Sequence, residues 1–197
     1  MNILTWNIRG LNDPLKQCEV LDLMLANKVD VAAILETHVR NNAVQMVWQN
    51  KLSRFNLVTN NACHSNGRIW ILWASSNVSI QVKSVTAQHI HCVVFNLATQ
   101  TSYEMTFIYA LNLGIQRMSL WDSIHHISCD VSKPWVCLGD FNVTLQAEER
   151  CGSHQIHYGD MEDFKETLEQ CGLSDHPATG CHYTWTNRQG GSLSGLS

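Results

Sequence analysis

The stretch Trp135–Leu145, WVCLGDFNVTL, joins an apolar run to a polar end. Its first four residues are apolar, and after Gly139 come Asp140 and Asn142, which stand on either side of Phe141. Functional residues are concentrated in the loops that follow such strands. The stretch therefore predicts a strand over residues 135–138, a turn at the glycine, and a carboxylate and an amide that point into one site while the phenyl ring packs back.

The composition is that of a folded globular protein. The chain has 197 residues, of which 45% are hydrophobic and 15% are charged, so we predict one domain with a sizeable core over residues 1–190 and a flexible tail over residues 191–197. The formal net charge is −4. This overall charge gives no support to nucleic-acid binding, although a local groove can be positive on an acidic protein.

The cysteines and the N-terminus indicate an intracellular protein. The eight cysteines include no C-x-x-C pair, and the Cys63-His64 and Cys181-His182 pairs lack the usual zinc spacing. We interpret the cysteines as buried free thiols in a reducing compartment. The N-terminal MNILTWNIRG lacks the pattern of a signal peptide, and no apolar run is long enough to span a membrane. These features predict the nucleus or cytoplasm.

Four helices are predicted from start signals and periodicity. The first begins with Asp13 as the N-cap and Pro14 at the first helical position. Its buried face is predicted to carry Leu15, Cys18, Leu21 and Leu25. The other helices are predicted over Ala43–Leu52, Gln116–Ser128 and Asp160–Cys171, the last of them ending at Gly172.

The remaining apolar stretches predict strands, most of them consecutive in the centre of the chain. They are Ile3–Trp6, Val29–Leu35, Asn56–Thr59, Arg68–Trp73, Val78–Val85, Ile90–Leu97, Tyr103–Tyr109, Trp135–Leu138 and Tyr183–Thr186. Consecutive strands flanked by helices favour two packed sheets with helices outside over a regular βαβ alternation.

Several of these strands end in polar residues that do not suit a core. They are Asn7, Glu36, Tyr109, Asp140 and Asn142. Strand ends gather at one rim of a sheet, and carboxylate and amide oxygens there can hold a hard divalent cation. Magnesium takes one or two carboxylates and completes its shell with water and substrate phosphate. Each residue alone also has an ordinary interpretation as a turn or loop residue, so the prediction depends on the set and its order.

The set and its order resemble the endonuclease/exonuclease/phosphatase superfamily of magnesium-dependent phosphodiesterases. The matching stretches are TWNIRGL at 5–11, ILET at 34–37, IYALN at 108–112, LGDFN at 138–142 and YTWTN at 183–187. Further stretches are similar to the endonuclease domain of plant-type LINE retrotransposons, namely GRIWILW at 67–73, RMSLW at 117–121, PWVCLGDFNV at 134–143 and CGLSDHPATGCHYTWTN at 171–187.

The resemblance implies a fold, a reaction and a role for each residue. The fold is a four-layer αββα sandwich of two mixed sheets, and the reaction is hydrolysis of a phosphate ester by in-line attack of water, with Mg²⁺ or Mn²⁺ as cofactor. Glu36 matches the metal carboxylate, and Asn7 matches the amide near metal and phosphate. Tyr109 matches the residue that stabilises developing charge. Asp140 matches the acid that orients or activates water, and Asn142 matches its companion at the phosphate.

One element of the family pattern is not matched. The family carries a catalytic Asp-His pair several elements after the YTWTN strand, whereas Ser174-Asp175-His176 precedes that strand. We therefore interpret Asp175 as a structural residue and Ser174–His176 as a chance match. The resemblance implies a fold that is incomplete at the C-terminus, with its last strands and catalytic His absent. Such a loss would remove several kcal/mol of transition-state stabilisation.

The sequence leaves three hypotheses for function. The first is a monomeric magnesium-dependent DNA endonuclease of LINE origin, with DNA as substrate and no association with membranes. The second is a retroelement-derived fragment that keeps the fold without the chemistry. The third is a phosphatase acting on a lipid or inositol phosphate.

Overall fold

The computed structural model describes residues 1–64, 66–146, 149, 151–152, 158–180 and 195–196. The helices are α1 (Pro14–Ala26), α2 (Val44–Lys51), α3 (Gly114–Asp130) and α4 (Tyr158–Gln170), with a 3₁₀ helix at Asn41–Ala43. The strands are β1 (Ile3–Asn7), β2 (Val31–Leu35), β3 (Asn56–Thr59), β4 (Ile69–Trp73), β5 (Val78–Val85), β6 (His89–Asn96), β7 (Thr101–Tyr109), β8 (Trp135–Asp140), β9 (Cys151–Gly152) and β10 (Gly195–Leu196). Among these residues, no helix is long and apolar enough to cross a membrane.

The chain divides into two compact units. The first comprises Met1–Ala110 and Val131–Asp140, and the second comprises Leu111–Asp130 and Phe141–Ser197. Strands β1 to β8, with helices α1 and α2, belong to the first unit, and helices α3 and α4 belong to the second.

The first unit contains two mixed sheets of four strands each, in the orders β1-β2-β4-β3 and β5-β6-β7-β8. Strands β1 and β2 are parallel, as are β7 and β8, while the other neighbours in both sheets are antiparallel. The predicted fold class, an α/β sandwich of two mixed sheets, is confirmed.

Side-chain alternation along the central strands builds two cores. Ala32 and Ile34 of β2 and Trp70 of β4 join the core under helices α1 and α2. Val31, Ala33, Leu35, Ile69 and Ile71 instead join the core that also contains Ile90, Cys92 and Phe107 of the other sheet. Because β2 and β4 are covered on both faces, they are apolar throughout rather than alternating, which is why they are easy to recognise in the sequence.

The predicted start of α1 is confirmed, but its predicted buried face is wrong. Asp13 is the N-cap and its side chain accepts a hydrogen bond from the Leu15 amide at 2.9 Å. The buried residues are Gln17, Val20 and Met24, whereas Leu15 is 72% exposed. Apolar periodicity failed here because a glutamine occupies the buried stripe: its side chain donates to the Leu11 carbonyl at 2.9 Å, which satisfies it.

The interpretation of the cysteines as buried thiols holds for Cys92 and is wrong for others. Cys92 is free and fully buried, and burial raises the pKa of its thiol to about 12. Cys63 and Cys129, in contrast, are exposed. Their neighbours in the sequence are more polar than those of Cys92, which sits within an apolar strand.

A buried arginine organises the second unit. Arg117 of α3 is 2% exposed, and its Nη2 atom lies 2.6 Å from the Asp160 carboxylate of α4. Its Nη1 atom donates to the carbonyls of Leu111, Asn112 and Asn142. One side chain thus joins helices α3 and α4 to the loop before α3 and to the loop after β8.

Aromatic rings complete the contact between α3 and α4. The Phe164 ring of α4 lies 5.2 Å from the Trp121 ring and 5.0 Å from the Phe141 ring, measured between centroids. Phe141 therefore packs back into a core, as the sequence predicts. Helix α4 ends where the sequence predicts, since Gly172 has a φ of 64° and the Leu173 amide bonds back to the Leu168 carbonyl at 2.8 Å.

Two predictions concern the end of the chain. The predicted strand Tyr183–Thr186 lies outside the described residues. So does the predicted tail over residues 191–197, except for Gly195–Leu196, which pair antiparallel with Cys151–Gly152.

Candidate active site

Parallel pairing in each sheet of the first unit places predicted site residues side by side. In one sheet Asn7, the last residue of β1, pairs with Leu35, and Glu36 follows directly. In the other sheet Tyr109, the last residue of β7, pairs with Asp140, the last residue of β8. Because parallel strands end at the same edge, each sheet presents two polar side chains together.

A hydrogen bond joins the two sheets at this edge. The Asn7 Nδ2 atom donates to Asp140 Oδ2 at 2.8 Å, across 133 residues of sequence. The Asn7 Oδ1 atom accepts from the Arg9 amide at 3.3 Å, which fixes the other end of the same side chain. The carboxylate of β8 and the amide of β1 therefore form one rigid group.

Gly139 is needed for the approach of β8 to β7, and the predicted turn at this residue is wrong. Strand β8 continues through Gly139 to Asp140 instead of ending at residue 138. The glycine has a φ of 144°, and a Cβ atom there would lie 2.0 Å from the Ile108 carbonyl oxygen. Only glycine permits this approach, which places Asp140 beside Tyr109.

The loops after β1 and β2 are also paired, which holds Glu36 in place. The Gly10 amide donates to the Glu36 carbonyl at 2.8 Å, and the Leu11 amide donates to the Thr37 carbonyl at 2.7 Å. Glu36 has a φ of 56° and His38 has a φ of 52°. A left-handed conformation costs a residue with a side chain roughly 1–2 kcal/mol, and such strain is concentrated at functional sites.

Tyr109 is the best-buried of the candidate residues. It is 4% exposed. Burial raises the pKa of its hydroxyl; the Glu36 and Asp140 carboxylates add to that increase, while Arg68 opposes it. The hydroxyl is therefore a protonated donor at neutral pH, set among two carboxylates and a guanidinium.

Arg68 is a residue of this site that the sequence analysis missed. Its guanidinium carbon lies 5.1 Å from the centre of the Tyr109 ring, which is a cation–π contact. In the sequence it is the second residue of GRIWILW, where it reads as the start of a strand. No local pattern distinguishes it, because its partner is 41 residues away in the other sheet.

Two imidazoles extend the site beyond Glu36. His38 Nε2 lies 3.2 Å from Glu36 Oε1. Burial lowers the pKa of His64, and the nearby Arg68 and His38 lower it further. Histidine and arginine side chains thus stand beside the carboxylates.

The oxygen atoms at this edge suit a hard divalent cation. Glu36 offers a carboxylate that is 23% exposed, and the Asn7 amide and the Asp140 carboxylate lie at the neighbouring strand ends. Magnesium needs only one or two protein carboxylates because water and substrate phosphate supply its other ligands. The donor set fits the predicted ion, with Glu36 and Asn7 as the residues that would hold it.

The other predicted residues lie in the second unit. Asn142 has a φ of 51°, and its backbone carbonyl accepts from Arg117 Nη1 at 3.2 Å. Its part at the phosphate stays a prediction. Ser174, Asp175 and His176 are exposed, and the Nδ1 atom of the histidine lies 2.9 Å from the Pro177 carbonyl oxygen.

The chain is similar to known proteins in its family pattern and in its fold. The model of the endonuclease/exonuclease/phosphatase family matches residues 4–194. No curated protein matches the chain in sequence. The endonuclease domain of TRAS1, a telomere-specific non-LTR retrotransposon, superposes with a TM-score of 0.71 at 14% identity, over 98% of this chain and 82% of that one.

Two other solved structures share the fold. The AP endonuclease LMAP from Leishmania major has a TM-score of 0.67 at 15% identity, over 85% of this chain and 65% of that one. This chain thus spans slightly less than two thirds of that enzyme. A mannosyl-6-phosphatase from Bacteroides thetaiotaomicron has a TM-score of 0.57 at 10% identity, over 83% of this chain and 69% of that one. At such identities the likeness shows the fold alone.

Proposed function

The chain belongs to the endonuclease/exonuclease/phosphatase family, and we propose that it is a Mg²⁺-dependent phosphodiesterase that cuts DNA. The observation that carries the proposal is the hydrogen bond between Asn7 and Asp140, 2.8 Å long, which unites the polar ends of two separate sheets. A bond of this kind brings a carboxylate from one sheet to the amide that ends the other. That arrangement sets the carboxylate and the amide at the edge where Glu36 and Tyr109 also lie.

Each residue has a distinct part in the proposed reaction. Asp140 accepts the proton of the attacking water, and the Asn7 amide holds that carboxylate in position. Water forms the new bond to phosphorus as the bond to the leaving oxygen breaks. Tyr109, whose raised pKa keeps its hydroxyl protonated, donates to a non-bridging phosphate oxygen. Glu36 and Asn7 would hold Mg²⁺, which supplies charge stabilisation at the phosphate when bound.

DNA as the substrate and a LINE origin are the finer parts of the proposal. Solved relatives by fold include an AP endonuclease and a retrotransposon endonuclease domain. The GRIWILW and LGDFN stretches add the resemblance to LINE endonucleases. His38, His64 and Arg68 beside the carboxylates provide groups that can face a phosphate backbone despite the net charge of −4.

The experiment is nicking of supercoiled plasmid by the purified chain with Mg²⁺, compared with the same reaction in EDTA. Asp140→Asn and Glu36→Gln are each expected to lower the rate by about 10²-fold or more, as for other single groups that act on the transition state. Asp22→Asn is the matched control, because Asp22 is an exposed carboxylate of helix α1. It is expected to leave nicking unchanged.

A small diester separates the general activity from the substrate. Hydrolysis of bis(p-nitrophenyl) phosphate that needs Asp140, without plasmid nicking, would support a phosphodiesterase and refute DNA as its substrate. A folded chain that hydrolyses neither compound, or does so equally well as Asp140→Asn, would refute the proposed function as a whole.

A further inference from the structure

The Glu36 carboxylate is hydrogen-bonded on one of its two oxygens. Its Oε1 atom lies 3.2 Å from the Nε2 atom of His38, two residues further along the chain. An ionised carboxylate only accepts hydrogen bonds, so the imidazole carries a proton on Nε2 and donates it. Within the part of the chain that the structure describes, the Glu36 Oε2 atom accepts no hydrogen bond. One oxygen of Glu36 is therefore engaged, and the other is open to a ligand.

The backbone around this pair is fixed from several sides. Glu36 and His38 both have left-handed backbone conformations, with φ values of 56° and 52°. Thr37 lies between them and is fully buried, and its hydroxyl donates to the Gly67 carbonyl at 3.2 Å. The Asn12 Nδ2 atom donates to the His38 carbonyl at 3.0 Å. These bonds do not involve the imidazole, so removal of the His38 side chain should leave the loop in place.

Divalent cations differ in how they use the two oxygens of a carboxylate. Ca²⁺ takes about six to eight oxygen ligands in a flexible geometry and often binds both oxygens of one carboxylate. Mg²⁺ is smaller and needs a nearly ideal octahedron, most of which it fills with water and substrate oxygens. A carboxylate that keeps one oxygen engaged by a donor has a single oxygen to offer. Such a ligand suits Mg²⁺ and deprives Ca²⁺ of one of its contacts.

We propose that His38 is a positioning residue that sets the cation preference of the site: by donating to Oε1 of Glu36, it leaves one carboxylate oxygen for the ion and so favours Mg²⁺ over Ca²⁺. The inference rests on that part of the proposed function in which Glu36 holds the ion, and it does not depend on DNA as the substrate. His38 acts through Glu36 and does not itself touch the ion.

The test is cation binding by the purified chain at neutral pH, without any substrate. Free Mn²⁺, which takes the same octahedral oxygen ligands as Mg²⁺, is measured by electron paramagnetic resonance, and Mg²⁺ and Ca²⁺ are measured by competition with it. Glu36→Gln identifies the Mn²⁺ that belongs to this site. In His38→Ala, the affinity for Mg²⁺ is expected to fall by about tenfold or more, as when other partners of ligating groups are removed. The affinity for Ca²⁺ is expected to fall less, so the preference for Mg²⁺ over Ca²⁺ shrinks.

Two further variants separate hydrogen-bond donation from a general disturbance. His38→Gln retains a side-chain N–H donor and is expected to keep the wild-type preference. His126→Ala removes an exposed imidazole from helix α3 and is the matched control, with no change expected. A wild-type preference in folded His38→Ala would overturn the inference, as would an equal loss in His38→Gln. If His38→Ala does not fold, His38→Gly takes its place, because glycine adopts a φ of 52° without strain.

Failure of this inference is distinguishable from failure of the proposed function. If Glu36→Gln binds Mn²⁺ as tightly as the wild type, Glu36 does not hold the ion and the inference is wrong. If the chain binds Mn²⁺ through Glu36 but does not nick plasmid, cleavage of DNA is refuted. The comparison of His38→Ala with His38→Gln then still decides the role of His38.

Discussion

The buried side chain of His89 is expected to make the folded protein less stable in mild acid. The residue is 2% exposed, with Nδ1 3.0 Å from the Thr86 hydroxyl oxygen and Nε2 3.1 Å from the Ser84 hydroxyl oxygen. Burial and, as the smaller cause, the neighbouring His91 together lower the pKa of His89 from 6.5 to about 4. The folded protein therefore keeps a neutral imidazole over a pH range in which the unfolded chain binds a proton.

The sign and the size of the effect follow from proton linkage. Between pH 6.5 and about 4 the unfolded state binds more protons, so the free energy of unfolding falls as the pH falls. The stabilisation is complete above pH 6.5 and is lost as the pH falls from 6.5 to about 4. At ~1.4 kcal/mol per pH unit, the total loss is about 3 kcal/mol. Burial lowers the pKa of His91 as well, so it acts in the same direction.

The assay is urea unfolding at several pH values from about 7.5 to about 4.5. His89→Gln is expected to flatten the decline relative to the wild type by up to about 3 kcal/mol, whatever its stability at neutral pH. His126→Gln, on the exposed side of α3, is the matched control and should follow the wild-type curve. An identical decline in His89→Gln would refute the reasoning, as would an NMR titration of His89 with a midpoint near the ordinary imidazole value.

Two further predictions concern packing. Gly139→Ala is expected to destabilise the protein by about 2–5 kcal/mol, because it adds a contact of 2.0 Å with the Ile108 carbonyl to a strained backbone. Gly159→Ala, a helical position with open space around it, is the control for thermal unfolding and should be neutral or slightly stabilising. Arg117→Ala breaks a buried ion pair and should cost about 3–5 kcal/mol in urea unfolding. Lys165→Ala, which loses only an exposed pair at 4.0 Å, should cost less than about 0.5 kcal/mol, and equal losses would contradict the argument.

Much of the fold was predictable because its central strands are easy to recognise in the sequence. The sequences VAAIL of β2 and IWILW of β4 are apolar on both faces. They can therefore be identified as strands without knowing which face is buried. Helix α1 shows the limit of the same method, since Gln17 fills a buried position that an apolar pattern cannot assign. Polar residues that find a buried partner carry no periodic signal, because the partner is a backbone group elsewhere in the chain.

The candidate site likewise contains residues that the sequence predicted and residues that it did not. Four site residues could be predicted because each is a polar residue at the end of an apolar strand, where local structure does not require one. They are Asn7, Glu36, Tyr109 and Asp140. Arg68 stands before its strand. Asn60, whose Oδ1 atom accepts a hydrogen bond from the Arg68 amide at 2.9 Å, stands in a loop in which asparagine is ordinary. Their roles depend on contacts across the sandwich, which sequence spacing does not encode.

Residues placed by strand pairing and residues placed by contacts between the sheets should respond differently to mutation of the core. Residues at strand ends are placed by the ladder itself, so Asp140 keeps its position as long as β7 and β8 stay in register. Arg68 is placed by Asn60 and by the stacking of the two sheets, and it holds its position despite the buried, unpaired Nε atom. Loosening of the inter-sheet core should therefore disturb the Arg68–Tyr109 contact before it disturbs the carboxylates. A variant such as Phe107→Leu, in the core that also contains Tyr109, should lower kcat by displacing the Tyr109 side chain. Its effect should disappear in the Tyr109→Phe background, and a loss of kcat that persists there would show that the core supports the carboxylates as well.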